Sequence, residues 1–473
     1  MSIVNPGNDH ATGDLQRNLS NRHLQLIAIG GAIGTGLFMG SGKTISLAGP
    51  SILLIYMIIG VVVFFIMRAL GELLLSNLNY KSFVDLAYDL IGPKAGFYVG
   101  WTYWLAWVLT CIADLTAIIN YLSFWLPEGF TFTPGGQALI SIACILILMG
   151  LNFLTVKLFG ETEFWFAIVK IVAIIALIVA GAYMIFTHYT SPNGDVAAIS
   201  NIWSHGGIFP KGLDGFLAGF QIAIFAFVGA ELVGTAAAEA KDPHVNLPKA
   251  VNAIPVRIIL FYVLSLFIVM SVVPWNNVVP NKSPFVELFL KAGIPTAAVI
   301  MNLVVLSSVM SSMNSGIFST SRMLYGLAKD EQAPEKLGEL SSTGVPTNGL
   351  LFSCIMIMGS GILQFFVPDT LEAFTLATTF AVILFVSVWI LIMVSYIRFR
   401  KLRPELHEKS TFKMPGGVWM SYAVIIFLLG TIGILVLEPD TRKSLIVSPI
   451  WLCILAIGYY FFYLPKAKKL KSN

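Results

Sequence analysis

Charge is what this sequence has least of. Asp, Glu, Lys and Arg make up 11% of its 473 residues, where a soluble globular chain carries about 25%. Apolar and aromatic residues make up 57%, and the mean hydropathy is +0.82. That balance excludes a water-soluble enzyme and points to one integral membrane domain. The net charge of +4 is too small to argue for nucleic acid, and the basic residues form no arm. Cysteine is scarce too. Cys111, Cys144, Cys354 and Cys453 each sit alone in an apolar run with no CxxC pattern, so neither disulfides nor structural zinc are expected. All six histidines, His10, His23, His188, His205, His244 and His407, fall outside the apolar runs, which leaves no material for a histidine relay or metal site. No HExxH or GxSxG pattern occurs, which argues against a membrane-embedded enzyme. The first 23 residues are polar and carry no signal-peptide core, so the first span is expected to direct its own insertion.

What the chain does have is apolar runs of membrane-crossing length, about 20 residues each. They lie near 24–45, 51–75, 97–125, 137–157, 162–187, 213–238, 253–273, 295–321, 348–367, 371–397, 418–437 and 445–464. Twelve helices are therefore expected, because helices satisfy every backbone group in lipid and the alternating strands of a barrel are absent. With the N-terminus inside, 21 Lys and Arg fall on the cytoplasmic side and six outside, so both termini are expected in the cytoplasm. No loop exceeds a few dozen residues, which leaves no room for a nucleotide-binding domain. Gly40-Ser-Gly-Lys-Thr44 imitates the end of a phosphate loop, but the full pattern needs glycine where Leu37 stands. Trp101, Trp104, Trp107 and Trp125 suit either interfacial anchors or pocket walls.

The first span packs Gly30, Gly31, Gly34, Gly36, Gly40 and Gly42 into one helix length. One reading is close helix packing through GxxxG pairs. The other is an unwound helix, since each interior glycine costs up to about 1 kcal/mol relative to alanine. A break at membrane depth is tolerated only where its backbone lines a cavity or meets a ligand, and the exposed half-helix N-terminus then suits a carboxylate. The sixth span repeats the device, with Gly229 and Gly234 around the buried acid Glu231. Paired interrupted helices in corresponding places of two halves point to the substrate site of an inverted-repeat transporter.

Few ionisable residues lie within the spans: Arg68, Glu72, Asp114, Lys170 and Glu231. Each costs at least about 2.5 kcal/mol near a helix centre and so needs a partner or a use. Arg68 and Glu72, four apart, are expected to pair locally. Lys170 lies seven residues past Glu163, about 10 Å further in along a helix. A lysine so placed must pair or shed its proton, which makes it a candidate for proton coupling or for a structural ion pair.

The segments GGAIGTGLFMGSG, FAFVGAELVGTAAAEAKDPHVNLPKA and NSGIFSTSRMLYGLAKDEQAP resemble bacterial amino-acid permeases of the amino acid-polyamine-organocation superfamily, over residues 17–463. The resemblance implies an all-α integral membrane fold with a five-plus-five inverted-repeat core of the LeuT type and broken helices one and six. On that scheme a cytoplasmic tail (1–23) precedes a core (24–397) of two repeats, 24–187 and 213–397. Two further helices (398–464) and a basic tail (465–473) follow. It implies uptake by proton symport, with no cofactor beyond the coupling proton. Carried over by position, Gly34, Thr35 and Gly36 would offer N–H groups and a hydroxyl to the substrate carboxylate. The carbonyls of Phe225, Ala226 and Val228 would accept from the α-ammonium. Phe227 resembles a gate or pocket aromatic, Glu231 the acid that links the site to gating, and Lys170 the lysine that replaces sodium in proton-coupled relatives. Relatives that exchange cationic substrates carry tryptophan where Phe225 stands. The expectation is a small neutral substrate such as glycine, alanine or serine, D-forms included. An uncoupled exchanger, a channel-like facilitator or a permease for another amino-acid class is the alternative.

Overall fold

The computed structural model describes residues 33–78, 80, 82–127, 129–154, 156–232 and 242–465, and for 156–159 the backbone alone. The tail 1–23, Gly30 and Gly31, Gly234 and the basic tail from Lys466 lie outside the described residues. Long uncharged runs leave the backbone no partner in lipid except itself, and they fold into helices. Among the described residues, ten helical runs are long and apolar enough to cross a membrane: Gly36–Ser76, Pro93–Ser123, Pro134–Asn152, Gly160–Phe186, Pro243–Val272, Pro295–Lys329, Thr347–Phe366, Thr370–Leu402, Gly417–Ile434 and Pro439–Tyr463. The first of these holds the described part of the first expected span and all of the second, turning at Gly49 with φ 60°. The sixth expected span appears as the shorter apolar helix Gly212–Phe227. Among the described residues the only β pairing is one bridge between Thr190 and Val196.

Helix starts follow the usual chemistry. Proline opens the helices at Pro93, Pro134, Pro243, Pro295 and Pro439, where a missing N–H is harmless. Asp369 caps the next helix by accepting from the Glu372 N–H at 2.8 Å. Between the second and third expected spans lies a short helix, Phe83–Leu90, closed by a capping box of Ser82 and Asp85.

Helix Pro93–Ser123 packs against both Pro295–Lys329 and Thr370–Leu402. Gly417–Ile434 and Pro439–Tyr463 lie outside them, mostly exposed. Trp419, Phe186 and Phe366 are more than 80% exposed, as expected of side chains that face lipid. Trp104 and Trp107 are buried, so those two are not interfacial anchors.

Two glycine pairs bring the first and sixth spans into close contact. A Cβ on Gly36 would stand 2.4 Å from Ala226 Cα, and one on Gly40 would meet Ile222 at 3.0 Å. From the opposite side, a Cβ on Gly215 would stand 2.6 Å from the Leu47 carbonyl, and one on Gly219 would meet Ala48 at 2.8 Å. The GxxxG reading of Gly36 and Gly40 therefore holds, and Gly215 and Gly219 answer it on the sixth span.

Arg68 and Glu72 do not form the expected local pair. Glu72 accepts from the Met414 N–H at 2.7 Å and the Tyr396 hydroxyl at 3.1 Å, and it shares a hydrogen bond with His407 Nδ1. Arg68 turns to Asn252 Oδ1 at 3.0 Å and the Lys413 carbonyl, and lies over the Phe412 ring. Distant groups outcompete the i, i+4 neighbour because burying Glu72 requires several donors at once.

Two outcomes follow from this packing. Gly36→Ala should destabilise the purified protein by about 1–3 kcal/mol, seen as a lower melting temperature in detergent, while Gly135→Ala, which meets nothing within 4 Å, should not. A double-mutant cycle on the same readout should give under about 0.5 kcal/mol of coupling for Arg68 with Glu72, and about 1 kcal/mol or more for Glu72 with His407.

Candidate functional site

The break in the sixth span is explicit. Helix Gly212–Ala223 tightens into the turn Ile224–Phe227, then Val228 becomes extended (φ −61°, ψ 139°) and Gly229 takes φ 96°, a left-handed conformation suited to glycine. The first span meets it from the other side. Among the described residues its helical hydrogen bonding begins with Leu37 and Phe38 donating to the Gly34 carbonyl, through the π-helical turn Gly36–Gly40. The first N–H groups of a helix have no partner within it, so the positive end of this half-helix points at the break.

Between them lies a small cavity lined by Gly34, Thr35 and Gly36 and by Phe225, Ala226 and Val228. Six of the seven substrate residues expected from sequence thus come together. The seventh, Phe227, is not among the lining residues; it stacks on Tyr262 at 5.2 Å and meets Tyr56 edge-on at 5.6 Å. Two of the three expected carbonyl acceptors already hold a donor. The Ala226 carbonyl accepts from the Tyr262 hydroxyl at 2.8 Å and the Phe225 carbonyl from the Val228 N–H at 3.2 Å.

Four lining residues were not assigned to the site from sequence: Trp107, Thr110, Asp114 and Ser312. The first three share one face of the helix Pro93–Ser123 at positions i, i+3 and i+7, and Ser312 comes from Pro295–Lys329. The Thr35 hydroxyl donates to Asp114 Oδ1. A hydroxyl has one proton to donate, so in this arrangement Thr35 has its backbone N–H, not its side chain, for a carboxylate. Asp114 was visible as an intramembrane acid, which is the one signal in the sequence that marked it.

Lys170 and Glu231 stand off the cavity. Lys170 is 1% exposed and donates to Ser311 Oγ at 3.1 Å. Ser311 in turn donates to Glu163 Oε2 at 2.6 Å, and Asn314 donates to Glu163 Oε1 at 2.8 Å. Asn152 extends the chain by donating to Asn314 Oδ1 at 2.8 Å. Glu163, taken from sequence as a marker for the edge of the span, is buried and belongs to this cluster. Glu231 Oε1 accepts from the Gly229 N–H and the Tyr103 hydroxyl, both at 3.3 Å, while Oε2 has no partner among the described residues. No group of three or more His, Cys, Asp or Glu that could hold a metal occurs among the described residues.

The site is a small cavity between two helix ends of opposite polarity, which suits a zwitterion. Comparison with known proteins agrees. The family model for amino acid permeases matches residues 23–471. The D-serine/D-alanine/glycine transporter of Escherichia coli (strain K12) is 56% identical over 472 residues, covering 100% of this chain and 99% of the relative. The amino-acid permease AapA of Bacillus subtilis (strain 168) is 50% identical over 445 residues, or 94% of each chain. A probable threonine/serine transporter, YbxG, of the same organism is 41% identical over 456 residues, 96% of this chain and 97% of its own. The chain belongs to the amino acid permease family, multi-pass membrane transporters and not enzymes.

Proposed function

We propose that this permease imports small neutral amino acids, namely glycine, alanine and serine with their D-forms, by proton symport. The observation that carries the substrate class is the small cavity between the two helix ends, lined by Gly34, Thr35 and Gly36 on one side and Phe225, Ala226 and Val228 on the other. The full-length similarity to a D-serine/D-alanine/glycine transporter supports the same class. The substrate carboxylate faces the N–H groups of Thr35 and Gly36, and the α-ammonium faces the carbonyls around the sixth-span break. Trp107 and Phe225 limit the room left for a side chain.

Ten long helices, a short first half of the sixth span and breaks five spans apart support twelve spans in two inverted five-helix repeats with two added helices. The excess of basic residues on one side supports cytoplasmic termini. Alternating access is then a rocking of one helix group against the other about the cavity, with Glu231 tying the sixth-span break to Tyr103. The proton is carried at Lys170, whose burial in a chain that avoids charge supports a coupling role.

Reconstituted into liposomes, the wild type should accumulate labelled glycine or D-alanine under an inward acid gradient. Accumulation indifferent to an uncoupler would leave an uncoupled exchanger or facilitator instead. Lys170→Met should abolish pumped accumulation while leaving exchange across the bilayer; unchanged concentrative uptake in that variant would remove Lys170 from the coupling mechanism. Competition by a panel of D- and L-amino acids measures the substrate range, and preferred uptake of larger side chains would overturn the size argument.

A further inference from the structure

We propose that Asp114 is the counter-charge for the α-ammonium of the substrate, and so the residue that makes the cavity require an amino group. The inference rests on the amino-acid site described above and adds a side chain to it. Asp114 is fully buried, lines the cavity, and accepts from the Thr35 hydroxyl through Oδ1. Its other oxygen, Oδ2, has no hydrogen-bond partner among the described residues. A buried carboxylate with an unanswered oxygen is costly at membrane depth unless something supplies the missing charge.

The backbone alone does not meet the needs of the ammonium. Of the three carbonyls on the opposite wall, those of Phe225 and Ala226 already accept from Val228 and Tyr262. Carbonyl dipoles also carry no net charge, whereas an ammonium taken out of water is stabilised most by a full opposite charge held beside it. In a cavity this small the two ends of a zwitterion sit close together, so a carboxylate beside the half-helix N-terminus still reaches the ammonium. Thr35 then plays two parts. Its N–H faces the substrate carboxylate, and its hydroxyl fixes the rotamer of Asp114. Anionic amino acids are rejected by the same charge, and cationic ones by lack of room.

The test uses the full chain purified in detergent, with glycine and D-alanine as probes. Asp114→Asn keeps the acceptor for Thr35 and removes only the charge. It should weaken glycine binding by at least about thirty-fold, while Asp114→Glu recovers part of the affinity. Empty Asp114→Asn should melt at or above the temperature of the empty wild type, because a buried carboxylate with one oxygen lacking a hydrogen-bond donor has gone. Saturating glycine should raise the melting temperature of the wild type and leave the Asn variant unmoved. Glycine affinity in Asp114→Asn within about threefold of wild type would overturn the proposal, including the case where affinity persists and only proton-driven accumulation is lost. A markedly lower melting temperature of the empty Asn variant would also overturn it, since that is the mark of a structural role. If glycine and D-alanine leave the wild type unmoved but another amino acid stabilises it, the substrate class falls and the Asp114 comparison is decided with that amino acid. If no amino acid binds the wild type, both readings fall.

Discussion

The structure depends on one contact, the approach of Gly36 to Ala226 with no side chain between them. A single methyl on Gly36 would overlap the Ala226 backbone. Around that point the first and sixth spans lie against each other through Gly40 and Ile222 and through Gly219 and Ala48. In lipid no hydrophobic driving force separates helix from helix, so such close backbone approach is a main source of helix association. The contact also fixes chemistry. It sets an N-terminal helix end against the carbonyls of a helix that has just stopped, with the cavity where the two diverge. Packing and unwinding, which look like alternative explanations of the glycines, are two consequences of one arrangement. Gly36 and Gly40 pack, while Val228 and Gly229 interrupt.

The second constraint is the cost of charge away from water, and the intramembrane ions divide by how fully they are answered. Glu72 has His407, Tyr396 and the Met414 N–H, and Glu163 has Ser311 and Asn314. Networks completed in this way hold helices in register. Asp114 and Glu231 each keep one oxygen without a hydrogen-bond partner among the described residues, and they contact the first and the sixth span respectively. Glu231 comes three residues after Val228 and holds the Gly229 N–H that the break releases. An unsatisfied buried acid calls for an explanation beyond packing: Asp114 lines the cavity, and Glu231 stands beside the sixth-span break.

Most of the architecture was legible in the sequence because it rests on local properties. Hydropathy gave the helices, and the glycine beside Glu231 marked the interrupted sixth span. The buried acid Glu231 and the lysine at position 170 were conspicuous against a background that excludes charge. What was not legible depends on distant partners. Arg68 and Glu72 have ideal helical spacing, yet Glu72 answers to His407, 335 residues further on. Glu163 looks like the edge of a span, and only its contacts with Ser311 and Asn314 show it to be buried. Trp107, Thr110 and Asp114 follow a helical repeat that any buried face would show, so nothing local distinguishes a cavity wall from packed core. Ser312 is one of several serines in its helix, and only the fold turns it towards the site.

Ser311 and Ser312 show how the cavity and the lysine cluster connect. Consecutive helical residues point about 100° apart, so one turn of Pro295–Lys329 presents Ser312 to the cavity and Ser311 to Lys170 and Glu163. The neighbouring Ser308 donates to the Ile33 carbonyl at 3.3 Å, tying the same helix to the start of the first span. Any shift of the first span on closing around a substrate therefore acts on the helix that holds the Lys170 contacts. On the proposed reading, substrate and proton are coupled through this turn by geometry: the groups that sense the ligand and those that surround the lysine are adjacent residues of one rigid element. A rigid helix transmits a displacement along its length with little loss, whereas a flexible loop would not.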